Sequence, residues 1–170
     1  MLYVVEMDLP DRSQEVPWHR WYVSHIRKLL TVPGYNGAQR FRALAPSASP
    51  FLAIHDVAGA DVFESTEYRA VGGPQGTGQW RELMTNWHRN LYAGRECMPT
   101  VGADEVLVLL DASEGIAASL AERVTWLESV GLDRSIERRG FVVLTGQQAR
   151  VHVGDAEHLH LYKPISGKIC

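Results

Sequence analysis

Phe51-Leu52-Ala53-Ile54-His55-Asp56-Val57 is the stretch that decides the fold. Successive side chains of an extended segment point to opposite faces. Phe51, Ala53, His55 and Val57 therefore share one face, and Leu52, Ile54 and Asp56 the other. Both sets are largely apolar, so the strand belongs in a sheet that is covered on both sides. A loop rich in Pro and Ser, Ala45 to Pro50, joins it to a preceding strand over Ala38 to Leu44. Further upstream, Leu2 to Asp8 reads as another strand, with β-branched Val4 and Val5, and Leu9-Pro10-Asp11 ends it.

Between the first two strands the spacing predicts a helix from about Pro17 to Leu30. Trp18, Tyr22, Ile26 and Leu29 form one apolar stripe, with Trp21 and His25 one step to the side. Val32-Pro33-Gly34 stops it, because proline cannot continue a helix. After Val57 the pattern predicts a short helix near Val62 to Ala70 and a glycine-rich stretch, Gly72 to Gly78. A second long helix then carries Trp80, Leu83, Met84, Trp87 and Leu91.

The chain changes character around Gly94 to Asp104. Glu105 to Leu110 reads as a strand, Ile116 to Val130 as a helix, and Ser135 to Thr145 and Glu157 to Pro164 as further strands. His158-Leu-His-Leu-Tyr162 echoes Phe51-Leu-Ala-Ile-His55. The order suggests a tandem duplication, residues 1–100 followed by a truncated copy in 101–170, packed as one unit.

Composition bounds the rest. With 170 residues, 45% apolar and 22% charged, the chain has the make-up of a globular domain. A formal charge of −3 gives no footprint for nucleic acid or an anionic membrane, and Arg138-Arg139 and Arg40 with Arg42 read as ordinary strand or surface charges. No apolar run has membrane-spanning length, and the first residues do not form a secretory signal. Two distant cysteines, Cys97 and Cys170, suggest free thiols in a reducing, cytoplasmic setting, with Cys170 on a mobile end.

In this order and spacing, Asp8-Leu9-Pro10, Trp21-Tyr22-x-x-His25, Val32-Pro33-Gly34-Tyr35 and Arg40-Phe41 form a recognisable series. Ser65-x-x-Tyr68, Trp80 and Arg89-x-Leu91-Tyr92 continue it. Over residues 2 to 93 the chain resembles the dimeric α/β-barrel superfamily and, within it, EthD-like proteins. The resemblance implies an α+β fold: a ferredoxin-like βαββαβ unit with helices on one face, whose open sheet closes against the second half, another subunit of a homodimer, or both. Relatives of that pattern include aromatic polyketide cyclases, lactone isomerases, cofactor-independent monooxygenases and haem enzymes. Many of them place an acid directly before the helix histidine, where this chain has Ser24.

The candidate catalytic residues are His55, His25 and Glu6. His55 stands mid-strand on an apolar face. His25 has a side chain that ordinarily titrates near neutrality, and its alternative is a hydrogen-bonded histidine on the helix surface. Glu6 lies in an apolar run, where a carboxylate needs a partner or a role; His55 or Arg40 would supply one, unless Glu6 faces solvent at an edge. Tyr22, Arg40, Trp80 and Tyr3 are candidate substrate-binding residues, with Trp87 beside them, although aromatics at this spacing also build cores. His158 and His160, near His152, Asp155 and Glu157, form the strongest metal pattern, which a polar strand surface produces equally. Gly72 to Gly78 lacks a P-loop ending and reads as a lid or connector.

The leading expectation is an enzyme without a tightly bound cofactor or metal. It would carry out acid–base chemistry (cyclisation, isomerisation or elimination, or cofactor-free oxygenation) on a hydrophobic small molecule held in a barrel cavity. A non-catalytic ligand-binding or assembly protein and a metal-dependent enzyme built on His158 and His160 are the alternatives.

Overall fold

The computed structural model describes residues 1–111, 118–152 and 158–170. Its frame is a closed barrel of eight antiparallel strands: β1 (Leu2–Asp8), β2 (Tyr35–Ala43), β3 (Phe51–Val57), β4 (Thr85–Ala93), β5 (Glu105–Leu110), β6 (Thr125–Leu132), β7 (Arg138–Thr145) and β8 (Leu159–Pro164). Around the barrel they run β1-β3-β2-β8-β5-β7-β6-β4. Helices are few and mostly short: α1 (Glu15–Leu29), α2 (Thr66–Val71), α3 (Gly73–Thr77), α4 (Trp80–Leu83), α5 (Ala118–Ala121) and α6 (Gly146–His152).

The barrel closes within one chain. Two pairings join its parts, β2 to β8 through Phe41, Arg42 and Ala43 against Pro164, Lys163 and Tyr162, and β4 to β6 from Asn90↔Leu132 to Ala93↔Glu128. Strand, helix, strand, strand, helix, strand is the order in both parts of the sequence. Both strands that follow α5 and the one that follows α6 are in place, so the second part carries four strands as the first does.

As the alternation in Phe51–Val57 requires, every residue of β3 is buried. Leu2, Val4, Leu52, Ile54, Leu107, Leu109, Phe141 and Tyr162 meet inside the barrel in one apolar cluster. Eight strands enclose a space that side chains fill. The expected barrel cavity is thus replaced by a packed core. Tyr3, Val5, Phe51, Ala53, His55 and Val57 face outward, and α1 lays Trp18, Tyr22, Ile26 and Leu29 over that face. Over the other part of the barrel, Leu120 and Ala149 of α5 and α6 cover Val106, Val108, Val142 and Leu144.

Two expected helices are strands. The run containing Trp80 to Leu91 makes one helical turn at α4, then becomes β4, with His88, Asn90 and Tyr92 turned to the barrel and Trp87, Arg89 and Leu91 turned out. Likewise the Ile116 to Val130 run becomes helix only at Ala118–Ala121 and strand from Thr125, while Ile116 itself lies outside the described residues. Apolar residues four, four and three apart also satisfy stretches of two-residue alternation, and β-branched Thr125 beside Trp126 favours the strand.

The C-terminal end is tied down rather than mobile: Ile169 exchanges backbone hydrogen bonds with Ala38 at 2.8 Å, and Lys168 Nζ reaches Asp56 at 2.6 Å. Cys97 and Cys170 are both free and exposed. Among the described residues no helix is long and apolar enough to cross a membrane.

At one mouth of the barrel, Arg139 is 2% exposed. Its Nη1 donates to Glu6 Oε2 at 2.6 Å and its Nε to Asp111 Oδ1 at 2.7 Å. Glu6 is thus paired with neither His55 nor Arg40, and Arg139 is no ordinary strand charge. Breaking a buried pair from one side leaves charge uncompensated, which costs about 3–5 kcal/mol. Arg139→Met should lower stability by that order in urea unfolding at pH 7, and adding Glu6→Gln with Asp111→Asn should recover part of it.

Candidate functional site

Between the outward face of β1 and β3 and the helices α1 to α4 lies a narrow cavity of about 30 Å³. Tyr3, Tyr22, His25 and His55, four of the seven residues singled out from sequence, line it together. Trp21, Tyr68, Met84 and Trp87 complete most of the wall. Its volume holds about two waters, so a larger guest requires α2 to α4 to shift.

Each element places its residue for a simple reason. Register sets Tyr3 directly opposite His55 on neighbouring strands, and their rings stack with centroids 5.2 Å apart. Tyr35 meets His55 edge-on at 5.4 Å. Trp21 and His25, one helical turn apart on α1, stack at 5.1 Å with planes 12° apart. Tyr68 was not among the residues chosen for chemistry. Its signal was Ser65, whose Oγ accepts the Tyr68 backbone N–H at 3.1 Å and so caps α2 three residues earlier.

Two glycines fit this wall. A Cβ on Gly72 would overlap the Tyr68 ring, and one on Gly76 would collide with the Val71 carbonyl and come within 2.8 Å of His25 Cε1. The Gly72–Gly78 stretch, read from sequence as a lid or connector, does pack against the cavity through Gly73 and Thr77.

The other three chosen residues stand elsewhere. Arg40 is buried behind Tyr22, its guanidinium 4.1 Å from that ring and 4.7 Å from Trp18, so it holds α1 to the sheet. Trp80 packs on Trp21 at 5.8 Å and supports the wall from outside. Glu6 projects to the opposite face of the sheet from His55, which rules out the expected convergence of the two. Alternation alone separates them, because positions 3 and 6 of one strand have opposite parity and Tyr3 pairs with His55.

Glu6 instead lines a shallow pocket of about 490 Å³ at the barrel mouth, with Asp111, Arg139, His160, His88 and Tyr162. Burial alone would raise Asp111, but His160 at 3.0 Å and Arg139 hold it below its ordinary value. His160 therefore serves this network. Asp155 and Glu157, the neighbours that would complete a metal set, lie outside the described residues, and among the described residues no three His, Cys, Asp or Glu side chains are grouped to hold a metal.

Inside the cavity the environment favours uncharged groups. Burial lowers His55 to about 3, with His25 and Arg40 pushing the same way. Burial, aided by Lys28, lowers His25 to about 4. Burial raises Tyr22 to about 12 and moves Tyr3 and Tyr68 upward as well. His55 is 1% exposed, and its Nδ1 has no hydrogen-bond partner among the described residues. Both imidazoles are thus neutral acceptors throughout the physiological range.

Comparison with known proteins adds the architecture. No family model matches the chain, and no curated protein does. Among solved structures, a protein from Lactobacillus acidophilus NCFM provisionally assigned as a monooxygenase aligns over 98% of this chain and 94% of its own, at 7% identity and a TM-score of 0.56. An anthrone oxidase-like protein aligns over 99% and 92%, at 11% identity and a TM-score of 0.51. At such identities the likeness is one of fold, an α+β barrel.

The histidines set a pH dependence. Unfolded, each takes a proton near its ordinary value of 6.5; folded, they resist it until about 4 and 3. Stability therefore falls as pH drops below 6.5, by on the order of 2 kcal/mol per histidine by pH 5 to 4.5. Thermal unfolding followed from pH 7 to 4.5 should show this loss, and His55→Phe should flatten it.

Proposed function

We propose that this chain is a small-molecule enzyme that admits a hydrophobic, aromatic substrate to the cavity beneath α1 and moves a proton on it without a tightly bound cofactor. His55 and His25 are the acceptors, and Tyr22 and Tyr3 are the donors that hold the developing oxyanion. The observation that carries this reading is His55. A buried imidazole nitrogen with no partner costs about 1–3 kcal/mol, and Leu or Phe would fill that outward position of β3 without the cost. A polar group kept there at such expense, in the wall of a cavity, is accounted for by use.

With both histidines low and the tyrosines high, nothing in the cavity titrates between about 5 and 9. The histidines are neutral and so available as acceptors, and Tyr22 and Tyr3 beside them are placed to share the charge of an anion such as a polycyclic phenolate. The descriptions of the two structures of like fold favour the oxidative variant of this chemistry, in which the deprotonated aromatic reacts with dioxygen. Ring closure or isomerisation of the same anion is the non-oxidative variant.

We also infer that residues 1–100 and 101–170 are two ferredoxin-like halves of one duplicated unit. The strand order supports this: β4-β1-β3-β2 in the first part corresponds to β8-β5-β7-β6 in the second. In this reading the first half carries the chemistry and the second supplies the sheet that closes the barrel.

The test is turnover by the purified protein, with no added cofactor, on a panel of polycyclic phenols, following both oxygen uptake and product formation. His55→Gln should lower kcat by about 10²-fold or more while circular dichroism stays unchanged, and the rate should be level from pH 5.5 to 9. If His55→Gln leaves turnover intact, the proton does not pass through His55. Binding of the panel without turnover would make the chain a ligand-binding protein.

A further inference from the structure

A second, wider hollow lies against the first. It has about 450 Å³ of space and is lined by Phe63, Tyr68, Arg69, Gly72, Arg89 and Leu132, among others. Tyr68 and Gly73 belong to both walls, so this vestibule and the inner cavity adjoin at the Tyr68 ring and the turn after α2. Its composition is mixed in a specific way. Phe63 and Leu132 offer apolar surface, and Leu132 is 37% exposed there. Arg69 is exposed, and its guanidinium has no ion pair or hydrogen bond among the described residues. Arg89 stands 3.8 Å from Asp133, a loose pairing with both groups part-exposed, and its guanidinium lies 5.0 Å from the Trp87 ring. Asp133 is the acid that flanks Arg89, and among the described residues no Asp or Glu lines the vestibule itself.

We propose that the vestibule is the entry and anion-binding subsite of the cavity, and that the substrate is an aromatic molecule bearing a carboxylate. This rests on the reading of the inner cavity as the reaction site, and adds the class of molecule. The ring system would pass Tyr68 into the space between Tyr3, Tyr22 and the two histidines. The carboxylate would stay outside on Arg69 and Arg89, because a cavity that keeps its own titratable groups uncharged cannot desolvate an anion cheaply, whereas guanidinium groups at a half-open rim bind one by charge-assisted, bidentate hydrogen bonds. Tyr68 is then a positioning residue at the passage between the two spaces.

The test compares 2-naphthoate with 2-naphthamide, which have the same shape and differ in charge, by calorimetric titration of the full chain. The expected result is that naphthoate binds roughly tenfold or more tightly than the amide, as for hydrogen bonds to a charged group. That preference should fall away in Arg69→Gln/Arg89→Gln and weaken with added sodium chloride in the unaltered protein, the latter readout standing even if the double variant folds poorly. Equal affinities for the two probes, or a preference that survives both the substitutions and salt, would overturn the anion subsite while leaving the cavity reading in place. Failure of both probes to bind would overturn the cavity reading and the subsite together.

Discussion

The guanidinium of Arg139 is the joint of this barrel. It sits almost fully out of water, yet two carboxylates from different parts of the chain converge on it, Glu6 near the end of β1 and Asp111 just past β5. Burial works against its charge, but those two acids raise its affinity for the proton above the ordinary value. Taking a cation and two anions into a barrel is expensive, and such a network is weak evidence for net stability. What it gives is a connection: one guanidinium on β7 ties β1 and the end of β5 together at this mouth.

With its mouth tied by charge and its centre packed with side chains, the barrel leaves open, among the described residues, the shallow pocket around Glu6, Arg139 and His160. The narrow cavity lies outside the sheet, where helices lie over it. The two sides differ sharply in what they offer. Helix α1 runs for fifteen residues and, with α2 to α4, holds aromatic rings and two histidines over β1 and β3. On the other side, the described residues of α5 and α6 cover an aliphatic surface. The gap over β3 collects the polar groups.

Much of this was legible in the residues. Two-sided burial of Phe51–Val57, the stripe on α1 and the stop at Val32-Pro33-Gly34 placed the first three strands and the main helix. Tyr3, Tyr22, His25 and His55 were each legible singly, since parity on a strand and position on a helix are local, but their meeting in one cavity was not. What failed was non-local. Trp87 and Leu91 fit a helix by spacing, and only pairing with β1 and β6 makes that run a strand. Glu6 was recognised as a carboxylate in need of a partner, but the partner was 133 residues away, and nothing near Arg139 marks it. His160 stands beside Asp111, 49 residues away in sequence, and nothing local marks that pairing either.

Closure of the barrel within a single chain has a further consequence. A barrel made by two identical subunits must present whatever it carries twice, related by symmetry, and any residue that suits one copy's site is imposed on the closing strands of the other. Here the closing strands are a separate stretch of sequence, free to vary on their own. With each strand hydrogen-bonded on both sides, the sheet also offers no bare rim to which a stray strand could add. The chain can therefore keep one asymmetric cavity and present no free strand edge.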